Sequence, residues 1–167
     1  MYSYNCLIFY SIVGFLLEST IYKIKGSKRH SGICYGPVTY VYGFGILGLN
    51  VLDQYFLSKT KGNKGKKLFI TFISCTILMS LIEFLGGIIL YKIFQTRLWD
   101  YSKKPYHLGR YLCLELSIIW GILGCFYLYF IKPLLDPLLR KIPPKFSIIV
   151  MCIQLLDIIF VIMNKIF

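Results

Sequence analysis

Acidic side chains are scarce in this chain. Seven of its 167 residues are Asp or Glu, against nineteen Lys and Arg, and charged residues make up 16% of the whole. A water-soluble domain of this length carries far more charge on its surface, so that scarcity argues against one. The six cysteines show no paired spacing and fall mostly in apolar stretches, which excludes a disulfide framework and leaves them as small hydrophobes. No CxxC or HExxH pattern is present, and the two histidines, His30 and His107, lie far apart, so no metal site is read. The 62–67 stretch (GNKGKK) lacks phosphate-loop spacing, so an ATPase is not read either. Gly43, Gly45 and Gly48 spell GxGxxG, but they stand in an apolar run with no βαβ unit around them. Close helix approach, not a dinucleotide, is the expectation there. No cofactor is implied. Repeats, low-complexity tracts and flexible linkers are missing too, and the chain reads as one domain, 1–167.

Apolar sequence is what the chain has in plenty. It is 57% hydrophobic and 17% aromatic, with a mean hydropathy of +0.67. Five runs approach the length of about 20 residues that crosses a bilayer: 5–22, 37–57, 68–94, 111–131 and 147–166. The expected fold is therefore an all-α, polytopic membrane bundle of about five helices. The first run has no preceding cation and no small-residue cleavage site, and is expected to remain in the mature protein. The 133–144 stretch (PLLDPLLRKIPP) reads as an interfacial segment. The net charge of +12 sits in short loops between runs, where cations meet anionic headgroups; no nucleic-acid motif accompanies it. Simple alternation puts ten cations on one side and nine on the other, so charge does not orient the chain.

Four of the seven acids, Glu18, Glu83, Glu115 and Asp157, lie inside these runs. A carboxylate at mid-bilayer costs about 2.5 kcal/mol or more, so such groups face a protein interior and mark candidate sites. Alternation places loops 23–36 and 95–110 on one side. Glu18 and Glu115 then lie about 7 Å below that surface, and Glu83 about 13 Å below it, at 1.5 Å per residue. Three glutamates and two aromatic-rich loops converge on one half of the membrane, which suggests a polar vestibule. Asp157 reads equally as a helix-contact or an oligomer residue.

Several blocks carry a family resemblance: Gly14 to Glu18 (GFLLE), Tyr35-Gly36-Pro37, and Val41-Tyr42-Gly43-Phe44-Gly45. Glu83 with Gly86, then Trp99-Asp100-Tyr101-Ser102 before Pro105, and Cys113-Leu114, Ser117 and Trp120-Gly121 complete the set. In these the chain resembles the small bacterial polytopic family of putative ABC-transporter type IV proteins, over roughly 14–133. The resemblance implies a permease-like membrane protein without supplying a substrate. Departures are His30-Ser31 where Asn-Arg is expected, His107 for Asn, and Tyr40 for Pro. An arginine partner for an intramembrane glutamate would then be Arg29 or Arg110.

The candidate substrate or ion-pathway residues are Glu18, Glu83, Trp99, Asp100, Tyr101, Arg110 and Glu115. For each there is a plainer alternative. The glutamates could be structural, Glu115 could reach water, and Trp99 to Ser102 could be an aromatic anchor with Asp100 capping the next turn. Tyr35, Gly36, Pro37, Tyr42, Gly43, Trp120 and Gly121 read as structural motif, with Pro37 starting the second helix. The leading expectation is a transport component with Glu18, Glu83, Asp100 and Arg110 in its cavity. It would reside in the cell membrane, surrounded by lipid, as a homo-oligomer or beside a partner subunit such as a separate ATPase. Two other classes stand against it. One is an intramembrane enzyme on a lipid-linked substrate, with a glutamate as general base. The other is a non-catalytic adaptor.

Overall fold

The computed structural model describes residues 1–27 and 31–166. Among them the chain forms six α-helices and one two-residue hairpin. Helix α1 is Tyr2–Ile24, α2 Tyr40–Tyr55, α3 Lys64–Phe94, α4 Leu114–Phe126, α5 Lys132–Arg140 and α6 Pro144–Ile166. Strands β1 (His107–Leu108) and β2 (Leu112–Cys113) pair antiparallel around Gly109, whose φ of 61° makes the turn. The protein is an all-α membrane helical bundle. Four stretches are long and apolar enough to cross a membrane: Tyr2–Ile24, Lys64–Phe94, Leu114–Arg140 and Pro144–Asn164. Their outward leucines, isoleucines and phenylalanines are exposed in great number, the expected finish for surface that meets lipid.

The second apolar run departs from expectation. It yields only the 16 residues of α2, about 24 Å of helix, and not the whole of 37–57. Pro37 does not start the helix. Thr39 is the residue before its first turn, and 31–39 runs as irregular chain beside α1. Thr39 N donates to Ser11 O at 3.0 Å, thirteen residues inside the end of α1 and so about 20 Å back from it. The segment thus re-enters the bundle, and α2 carries the chain on antiparallel to α1 toward the opposite end. Ser31, Cys34, Val38 and Thr39 in it are all buried, as irregular backbone at that depth must be.

Two further boundaries move. The run at 111–131 becomes hairpin until Cys113 and helix only from Leu114. The 133–144 stretch is largely helix, continuous with α4 through a π-helical turn at Tyr127–Ile131. Pro133 lacks the N–H that would bond back to Tyr129, which accounts for the widened turn. Leu139 of α5 is buried, and its carbonyl accepts from Asn5 Nδ2 of α1.

Glycines set the spacing between helices. A Cβ on Gly43 would strike the Leu7 carbonyl and Ser11 of α1, and one on Gly121 would strike Thr76 and Phe72 of α3. These contacts draw α1 to α2 and α3 to α4, and they fix where the polar side chains meet.

Candidate functional site

Two carboxylates lie where the four helices converge. Glu83, in the middle of α3, is 5% exposed. Its Oε1 accepts from the Tyr101 hydroxyl at 2.7 Å, and its Oε2 from Trp120 Nε1 at 3.0 Å. Glu18, on α1, accepts from Tyr42 Oη at 3.1 Å and from Ser31 Oγ, which is itself 2.7 Å from Thr39 Oγ1. Tyr42 and Trp120 join the two halves, their rings packed edge to face with centroids 5.5 Å apart. The cluster therefore runs Ser31, Glu18, Tyr42, Trp120, Glu83, Tyr101, with donors from α2, α4 and both loops.

Local packing explains the reach of each donor. The Tyr42 ring lies against Gly14, one turn before Glu18, where any Cβ would displace it. Gly121 lets α4 approach α3 so that its neighbour Trp120 meets Glu83. Tyr101 is held by its backbone, since Tyr101 N donates to Arg110 O at 2.9 Å across the 95–113 loop. Burial, then the charge of Glu83, pushes the Tyr101 phenol well above its ordinary pKa, so it stays a donor.

The other expected members lie elsewhere. Glu115 is exposed and pairs with exposed Lys104 at 2.7 Å, and that contact raises the Lys104 pKa. Arg110 is exposed as well. Asp100 accepts from Ser102 N at 2.9 Å in a local turn. Hydrogen bonds from Ser102, with Arg110 and Arg97 nearby, hold the Asp100 carboxyl below its usual range. Among the described residues no Lys or Arg pairs with Glu18 or Glu83; Arg29 and His30 lie outside those residues. The partners among the described residues are hydroxyls and an indole, and Arg110 is not one of them. The polar vestibule is likewise replaced. The space beside Glu83 is only about 10 Å³, while a cavity of about 640 Å³ nearby is lined mostly by apolar side chains and by none of Glu18, Glu83, Asp100 or Arg110. Trp99 packs against Gly86 on the wall of that cavity, and its Nε1 is buried without a partner.

Asp157 of α6 also has a place. Its two oxygens accept from Tyr35 N at 3.1 Å and Gly36 N at 3.0 Å, which pins the re-entrant segment. Gly36 keeps that approach close, since a Cβ there would lie 3.0 Å from Asp157 Oδ2. Ser31 was not singled out from sequence, and its pairing with Glu18 has the composition of a nucleophile and base. At 1% exposure and with Thr39 on its other side, it serves here as a tie between α1 and the segment. Among the described residues no three His, Cys, Asp or Glu side chains gather to hold a metal.

The family model described as putative ABC-transporter type IV matches residues 5–165. The chain belongs to that family. The match takes in α6 and Asp157, beyond the blocks that carry the resemblance in sequence, and with the four spanning-length helices it makes this a membrane protein of ABC-transporter type. No curated protein and no solved structure matches the chain.

Proposed function

We propose that the protein is a permease-like, multi-pass component of a transport system in the cell membrane, with Glu83 as its proton- or cation-handling group. One observation supports this above the rest. Glu83 is buried in mid-helix, and its partners among the described residues, Tyr101 and Trp120, are neutral. Neutral donors orient a carboxylate but do not cancel its charge, and an uncompensated charge at that depth is costly. A proton, a small cation or the basic group of a solute supplies the missing charge. Glu18 shares the field, since Tyr42 interacts electrostatically with both glutamates.

In this reading Tyr101 is the movable donor. It stands on a loop, and displacing that loop withdraws one hydrogen bond and opens Glu83 toward the side bearing the 95–113 segment. Trp120 and Tyr42, carried on helices, keep the two carboxylates in register meanwhile. A chain of 167 residues completes a path across the membrane with further copies of itself or with a separate ATPase subunit. The remaining partner is membrane lipid, and nucleic acid has no part.

The test needs no substrate. Infrared difference spectra of the reconstituted protein across a pH step should show a carboxylic-acid carbonyl band that disappears in Glu83→Gln while the protein still inserts and runs as a single species. A Gln variant that leaves the band intact, or that fails only because the bundle falls apart, would place Glu83 in assembly and overturn the reading.

A further inference from the structure

The slot between α3 and α6 is a large space that the acidic cluster does not use. Ile82, Ile89 and Phe94 on α3 face Met151, Leu155 and Ile158 on α6 across the cavity of about 640 Å³. From Ile82 to Phe94 is about 18 Å of helix at 1.5 Å per residue, so the space is elongated along the helices. The re-entrant segment roofs it with Cys34 and Val38, and Asp157 holds that roof in place.

Among the described residues the lining contains no charged side chain. Two of its polar groups are already matched, with Tyr4 Oη donating to Gln154 Oε1 at 3.0 Å and Thr39 Oγ1 paired with Ser31. A cavity of this character does not fill with water. Helices in membranes associate by close contact, so two apolar stripes held apart leave lost packing that an occupant restores. The volume lies within the range of about 300–1,000 Å³ usual for ligand pockets. Helix α6 is the least buried of the four long helices, with 11% of its apolar window buried against 22 to 28% for the others, so it stands at the lipid edge of the bundle. The matter closest at hand on that side is hydrocarbon.

We infer that this slot binds one acyl chain of a bilayer phospholipid, which enters laterally between α3 and α6. The edge of the Trp99 ring lies beside Gly86 on the slot's wall and adds apolar surface behind it. The site is distinct from the acidic cluster and does not depend on the transport reading. Val41 and Ile82 line both spaces and form the partition between them.

The test uses the full chain in vesicles of phosphatidylglycerol and phosphatidylcholine, with a photoreactive diazirine on one acyl chain of the phosphatidylcholine. Adducts mapped by mass spectrometry should concentrate on Ile89, Leu155 and Ile158, and should fall several-fold there when Ile158→Trp fills the slot. Should Ile158→Trp fail to assemble, Gly86→Leu blocks the opposite wall, and the unmutated map already decides. Even labelling of outward residues such as Ile77 and Ile149, unchanged by either variant, would overturn the proposal. So would labelling by a diazirine fatty acid but not by the phospholipid, or a Leu155→Cys disulfide that joins two copies through the slot.

Discussion

Each carboxylate in the acidic cluster depends on its donors, and removing one donor at a time measures that dependence. Tyr101→Phe leaves Glu83 with a single hydrogen bond, and Trp120→Phe does the same from the other oxygen. Each change should cost about 1–3 kcal/mol, the penalty for under-satisfying a buried charged acceptor. Thermal unfolding in a mild detergent would read both, and a loss no larger than that of an outward Tyr55→Phe control would refute the assignment. The Gly43 position gives an independent check on packing. Gly43→Val drives a side chain into the Leu7 carbonyl, and should destabilise by about 1–3 kcal/mol as an overpacked contact. Asp100 offers the pH case. Its carboxyl is held below its usual range, so its contribution is full above the ordinary aspartate pKa and lost only as pH falls through the lower folded value. Carboxyl NMR should place its titration below that of an unperturbed aspartate, and Asp100→Asn should keep the turn while losing the pH dependence. Sequence reasoning reached Glu18, Glu83 and the Trp99 to Ser102 block. It did not reach their connection, because Glu83 finds its donors 18 and 37 residues away. Glu115 misled for a similar reason. Lys104 lies eleven residues back across a hairpin that no apolar periodicity announces.

The re-entrant segment is the element that sequence concealed. An apolar run of twenty-one residues at 37–57 fits a spanning helix by length and composition alike, and periodicity cannot separate buried irregular chain from buried helix. The clues were local. Gly32 adopts a φ of 76°, and Tyr35-Gly36-Pro37 carries a turn signal that belongs to the segment itself and not to the start of a helix. Asp157 was visible in sequence as a carboxylate in an apolar helix, but its partners are backbone amides, which leave no mark in composition. Asp157→Leu strips both acceptors from Tyr35 N and Gly36 N. Hydrogen exchange should then rise sharply at 35 and 36 with little change in the middle of α3. Asp157→Asn, which retains one carbonyl acceptor, should show an intermediate rise. Equal protection in all three proteins would mean that the segment is held by packing alone.

Across the whole molecule, the five expected crossings become four helices of spanning length, with α2 and the irregular chain before it in place of the fifth. The segment at 31–39 and the loop at 95–113 border the same cavity, through Cys34 and Val38 on the one and Leu98 on the other. Cysteines placed at Ser27 and at Lys103, in a background cleared of native cysteine, should react with a membrane-impermeant maleimide from the same face of oriented vesicles. Reaction from opposite faces would contradict this arrangement. Overall helical architecture was legible because apolar length and scarce charge admit few alternatives. The interior was not, because the cluster and the slot are separated by side chains that are equally apolar in sequence whichever way they point.

Helix α6 is tied to the rest at three heights: Ser147 to Asn5, Gln154 to Tyr4, and Asp157 to the backbone at Tyr35 and Gly36. Among the described residues these hydrogen-bond partners all belong to the first forty residues, and α6 leaves the ribosome well after them. During synthesis those groups on α1 and the segment must wait, exposed or provisionally paired, until α6 arrives. Biogenesis of this protein therefore has a late fastening step. A chain halted after Lys141 should insert and build its first five helices, yet stay unfastened along one whole side, an inviting target for the proteases that survey unfinished membrane proteins.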